Sequence, residues 1–160
     1  MLDTLIELAK DSSSTKRHQL VDHVTELFAA RAHKNRAEEI ATFNELLEGV
    51  FDTLDDSAKQ KISERLSNVT ATSANLAFKL AKEDLSIAQP FLERSQALKD
   101  AHLLEIASTQ SQGHLLALSK REHLDAKVSK KLAERGSKEV RKSLASNLGA
   151  DISPEDLEKV

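Results

Sequence analysis

The chain has no cysteine, no tryptophan and no tyrosine, and among its 160 residues only four glycines, two prolines and five phenylalanines. Each shortage excludes something. Without cysteine there is no disulfide framework, no thiolate zinc site and no thiol nucleophile. Without Tyr or Trp, the side chains that most often anchor tight interfaces and stack on single-stranded bases are missing. With few Gly and Pro and few β-branched runs, long stretches of helix are favoured over sheet. No apolar run approaches the length of a membrane span, and Met1-Leu2-Asp3-Thr4 lacks the basic and apolar regions of a signal peptide, so the expected location is the cytoplasm and no membrane partner is expected.

Apolar residues make up 39% of the chain and charged residues 31%, enough apolar material for a packed core. The apolar residues recur with a helical period. Leu20, Val24, Leu27 and Phe28 share a face, as do Ile40, Phe43, Leu47, Val50, Phe51 and Leu54. Further stripes are Ile62/Leu66/Val69, Leu124/Val128/Leu132 and Val140/Leu144/Leu148. Between them stand cap residues: Asp56-Ser57, Ser86, Asp100, Asp125 and Ser137 before stripes, Gly136 and Gly149 after them. Ser153-Pro154-Glu155 combines a cap, a proline at N1 and an acid in the first turn. The pattern predicts helices at 3–10, 14–32, 37–54, 57–68, 73–83, 87–96, 101–109, 112–120, 126–135 and 138–148, with another from 154.

These segments are too short for a four-helix bundle and read as helix pairs. Ile87, Phe91 and Arg94 recur as Val128, Leu132 and Arg135 at an offset of 41 residues. A period near 40 is that of HEAT and armadillo units. The expected fold is therefore all-α: a HEAT-like α-solenoid of paired antiparallel helices, about ten in all, forming one domain over residues 1–160. The terminal segment 154–160 is barely two turns long, so it either docks as a cap or begins further repeats; the expectation is the N-terminal part of a longer protein. An uncapped solenoid end can pair with itself, so a homodimer through the C-terminal end is an expected liability.

Several ordered pieces carry a resemblance. They begin with Leu5-Ile6-Glu7-Leu8-Ala9-Lys10-Asp11 and Arg17-His18-Gln19-Leu20. They continue through Ile87-Ala88-Gln89-Pro90-Phe91-Leu92-Glu93-Arg94-Ser95, Ser111-Gln112-Gly113-His114-Leu115 and Lys120-Arg121. Arg135-Gly136-Ser137 and Ser146-Asn147-Leu148-Gly149-Ala150 complete them. Together they resemble the bacterial family called domain of unknown function 2336. The resemblance implies a HEAT-like helical domain from bacteria and supplies no catalytic residues, cofactor or metal.

The chemistry-bearing residues are sparse. None of the six histidines lies in HExxH or in a Glu-x-x-His pair, and His18 and His23 are spaced i, i+5, poorly for two ligands on one face. The glycines are isolated, so there is no phosphate loop, and there is no GxSxG. The expectation is a chain without catalytic, cofactor or metal residues. His114 is read as a cap or inter-helix hydrogen bond, with a partner contact as the alternative. Phe78 lies on a segment that is apolar almost all round, which suits either an inner helix or a groove residue.

Charge offers the best candidate. Net charge is −3, but residues 120–142 hold nine Lys/Arg against four acids, +5, leaving −8 for the rest. Lys127, Lys130, Lys138, Arg141 and Lys142 are the candidate partner-binding cations, while Lys131 and Arg135 flank a stripe and can lay their stems over the core. The expected function is a non-catalytic protein-interaction module, with nucleic-acid binding through the 120–142 face as the alternative.

Overall fold

A computed structural model describes residues 14–34 and 36–160. The helix expected at 3–10 lies outside them. The described residues form ten α-helices: α1 (Ser14–Arg31), α2 (Ala37–Val50), α3 (Asp56–Leu66), α4 (Ala74–Ala81), α5 (Leu85–Arg94), α6 (Asp100–Thr109), α7 (Gln112–Ser119), α8 (Ala126–Arg135), α9 (Lys138–Ala145) and α10 (Pro154–Leu157). The fold is all-α, with no strand among the described residues and one isolated parallel bridge, Leu124 to Ala150.

Where local chemistry sets a boundary, expectation and structure coincide. The side chains of Asp125, Ser137 and Ser153 cap α8, α9 and α10 by accepting from Val128, Val140 and Asp156 backbone N–H groups. Other boundaries move. The cap of α3 is Asp55, not Asp56-Ser57, and α6 starts after Lys99 with Asp100 already inside. Helix α5 starts after Asp84, which leaves Ser86 within the helix and places Pro90 in the helix interior. Pro90 has no N–H for the Ser86 carbonyl, and Ser86 is exposed, so water can satisfy that carbonyl. The expected helix 37–54 becomes α2 followed by a 3-10 turn over Phe51–Thr53. Gly136 and Gly149 follow helices without left-handed geometry; no residue among those described has a positive φ. They are small for another reason. A Cβ at Gly136 would collide with the Leu132 carbonyl and Val140, and one at Gly149 with the Glu122 carbonyl.

The helices pack in two relays. In one, α1 contacts α3, α3 contacts α5, α5 contacts α7 and α7 contacts α9. In the other, α2 contacts α4, α6 contacts α8 and α8 contacts α10. The layers are joined by α1–α2, α4–α5, α6–α7 and α8–α9. Apolar side chains fill the interfaces. Val24 and Phe28, Ile62 and Leu66, and Phe91 and Leu92 are all buried at or below 1% exposure, and Phe28 meets Phe43 edge-on at 5.2 Å. Full burial of each such side chain is worth about 1.5–3 kcal/mol.

This packing is consistent with a helical repeat, and it sets the repeat's length. Leu85, Gln112 and Lys138 open α5, α7 and α9, in steps of 27 and 26 residues. Asp100, Ala126 and Pro154 open α6, α8 and α10, in steps of 26 and 28. The 41-residue echo instead aligns α5 with α8, helices of opposite layers that share an apolar stripe and a terminal arginine.

Candidate interaction surface

The basic segment divides into two groups with different work. Arg121, in the loop after α7, is 8% exposed. Its guanidinium donates to the Phe91, Leu92 and Ser95 carbonyls at 3.3, 2.9 and 2.6 Å, closing the C-terminal end of α5. Burial pushes its pKa down, with Asp100 opposing the shift; guanidinium nevertheless stays charged. Arg135, the last residue of α8, does the same for α6, donating to the Ala107 and Gln110 carbonyls. Lys120 lies 4.0 Å from Glu93 and Lys131 3.6 Å from Glu134.

The five cations singled out from the sequence are the remainder. Lys127, Lys130, Lys138 and Lys142 are exposed and Arg141 is half-buried. None of the five side chains makes a hydrogen bond or ion pair among the described residues. Val140 and Leu144 turn one side of α9 inward, so Lys138, Arg141, Lys142 and Ala145, at i, i+3, i+4 and i+7, share the opposite side. On α8, Lys127 and Lys130 lie opposite the buried Val128, Ser129, Leu132 and Ala133, with Glu134 between them. Lys127 also stands at the rim of a groove of about 570 Å³ between α6 and α8, lined by Asp100, Leu104, Asp125 and Asp151.

The other two candidates are engaged within the protein. His114 is 6% exposed, and both ring nitrogens are bonded. Nε2 is 2.7 Å from the Glu83 carbonyl and Nδ1 2.6 Å from the Ser111 hydroxyl. A carbonyl only accepts, so Nε2 carries the hydrogen and Nδ1 accepts from Ser111. His114 thereby ties α7 to the α4–α5 loop. Phe78 is half-buried, its ring 4.4 Å from that of His102 on α6, with the Lys82 ammonium 4.1 Å above it. It bridges α4 to α6 and leaves little ring face for a groove.

A set of loop clamps went unread in the sequence. Asn147 donates to the Ser119 and Arg121 carbonyls at 2.8 and 2.7 Å. Gln112 donates to the Arg135 carbonyl and accepts from Ser137 N–H, holding the α8–α9 loop. Asn44 donates to the Ala71 carbonyl and accepts from Ser73 N–H, holding the α3–α4 loop. Ser95, Arg121 and Asn147 are 26 residues apart in the segments that follow α5, α7 and α9, Ser95 directly after its helix and the other two one residue further on. Gln112, His114, Arg121, Arg135 and Asn147 are also among the residues that carry the family resemblance.

Among the described residues, no group of three His, Cys, Asp or Glu is placed to hold a metal ion, and no helix is long and apolar enough to cross a membrane. Residues 87–160 match the model of the domain of unknown function 2336 family, described as an uncharacterised protein conserved in bacteria. No curated protein and no solved structure matches the chain.

Proposed function

We propose that the chain is a non-catalytic interaction module, HEAT-like in its stacked pairs of helices, working in the bacterial cytoplasm. It binds an acidic protein surface through α8 and α9. One observation carries this reading. Lys127, Lys130, Lys138, Arg141 and Lys142 make no side-chain hydrogen bond or ion pair among the described residues, whereas Arg121 and Arg135 of the same segment are bonded to backbone carbonyls.

An acidic protein suits this surface better than nucleic acid does. Glu134 and Glu139 interrupt the cations. Phe78, the aromatic on α4, is covered by His102 and Lys82, so it offers no open stacking platform. Rim cations of this kind steer association and set specificity more than they add affinity.

The test compares wild type with Lys127→Glu/Lys130→Glu/Lys138→Glu/Lys142→Glu, both immobilised and exposed to nuclease-treated bacterial lysate, and both titrated with duplex DNA. A defined acidic protein kept by wild type and lost by the variant supports the reading. Retention of DNA alone, with steep salt dependence, replaces it by the nucleic-acid alternative.

A further inference from the structure

The basic side of α9 has an acidic counterpart elsewhere in the same chain. Helix α2 carries Glu38, Glu39, Glu45 and Glu48 and no Lys or Arg. Glu48 bonds to the Ser73 hydroxyl, but Glu38, Glu39 and Glu45 are exposed and make no ion pair among the described residues. The buried Phe43, Leu46, Leu47 and Val50 define the inner side of α2. Glu38, Ala41, Glu45 and Gly49 therefore run along its outer side. On α9 the matching row is Lys138, Arg141, Lys142 and Ala145. Ala41 and Gly49 on one row and Ala145 on the other keep both surfaces low enough for two helices to approach.

The two rows do not meet within one molecule. Helix α2 packs on α1, where the odd-numbered relay begins among the described residues, and α9 is where it ends. Four interhelical steps of roughly 8–10 Å each separate the two ends.

We propose that α9 of one molecule docks on α2 of a second copy of this chain, with Lys138, Arg141 and Lys142 facing Glu38 and Glu45. This rests on the reading of the basic surface as a docking surface and names its partner. A contact of α9 on α2 joins two different patches: formed reciprocally it gives a closed twofold pair, and formed once per molecule it continues head to tail. Exposed charge pairs are individually weak and screened by salt. The association is therefore weak, cooperative in its charges and sensitive to ionic strength.

The experiment uses the full chain, freed of nucleic acid, and two charge-reversed variants: Lys138→Glu/Arg141→Glu/Lys142→Glu and Glu38→Lys/Glu45→Lys. Sedimentation equilibrium is read at low and high ionic strength, with unfolding midpoints as the folding control. The expected result has three parts. Wild type gains mass with concentration at low salt and returns to monomer at high salt. Each variant alone stays monomeric. The equimolar mixture of the two associates again, because each supplies the sign the other lacks. A wild type that is monomeric throughout overturns the proposal, and so does a mixture that fails to associate while wild type does. If wild type is monomeric yet the Lys127/Lys130/Lys138/Lys142 reversal still loses an acidic protein, only self-association falls. If that reversal retains its ligands and wild-type association ignores both variants, the docking surface falls as well.

Discussion

Arg121 Nη2 donates to the carbonyl of Ser95 at 2.6 Å across 26 residues of sequence, and Asn147, another 26 residues on, donates to the carbonyl of Arg121 at 2.7 Å. A residue that bonds the loop before it is itself bonded by the loop after it. Arg121→Ala leaves the Phe91, Leu92 and Ser95 carbonyls without that donor in a buried place, and the expected loss of stability is about 3–5 kcal/mol. Arg121→Lys keeps the charge but not the fork and is expected to recover less than half of it. The urea midpoint at constant m-value measures both.

His114→Ala removes the donor to the Glu83 carbonyl and the acceptor for the Ser111 hydroxyl, and is expected to cost about 2 kcal/mol. His114→Gln restores an amide donor and is expected to recover part of it. Neither change is expected to alter partner binding once the protein is folded. A fully stable His114→Ala that has lost binding would return His114 to the interaction surface.

Glycine substitutions separate close approach from helix propensity. Gly149→Ala places a methyl into the Glu122 carbonyl beside the Leu124–Ala150 bridge, and a loss of about 2–4 kcal/mol is expected. Gly49→Ala, on the outer side of α2 with nothing within 4 Å of the new methyl, is expected to stabilise by about 0.5–1 kcal/mol. Thermal unfolding of the two single variants checks the opposite signs.

Acid is expected to loosen the C-terminal end. The Ser153 hydroxyl, followed by the Lys159 ammonium and the more distant Lys130, holds the Asp156 carboxylate below its ordinary value of 3.8 against the opposing effect of burial. A group whose folded pKa is depressed stabilises fully above its unfolded value and loses that effect as pH falls through the folded one. Amide protection in α10, taken relative to the intrinsic exchange rate at each pH, is therefore expected to fall below pH 3.8 in wild type. Asp156→Asn, which has no charge to lose, should show a flatter acid limb.

The elements most legible in the sequence were those whose cause is local. The caps Asp125, Ser137 and Ser153 lie one turn from the N–H groups that they accept from, so spacing alone reveals them. Arg121 and Arg135 were legible as charge but not as clamps, since their acceptors are backbone carbonyls some 26 residues earlier, and a carbonyl leaves no mark in the sequence. The 26-residue step escaped for the same reason: the carbonyls of Ser95 and Arg121 accept from Arg121 and Asn147, and the three residues share no side-chain type. A faint signal was present in the helix-preceding residues Ser111 and Ser137, and Lys99, Asp125 and Ser153. The offset of 41 prevailed because two amphipathic helices, each ending in arginine, look alike whichever layer they occupy.

The loop clamps bear on how the molecule comes apart. In an array of units held by nearest-neighbour contacts, the balance between a unit's own stability and its coupling to the next decides whether ends fray or the whole melts at once. Here the units are only two short helices, too small to stand alone, and buried side chains such as Arg121 span their boundaries. Opening any one unit exposes bonds belonging to two. The coupling term dominates, so residues 85–150 should behave as a single cooperative block, losing their amide protection together rather than unit by unit.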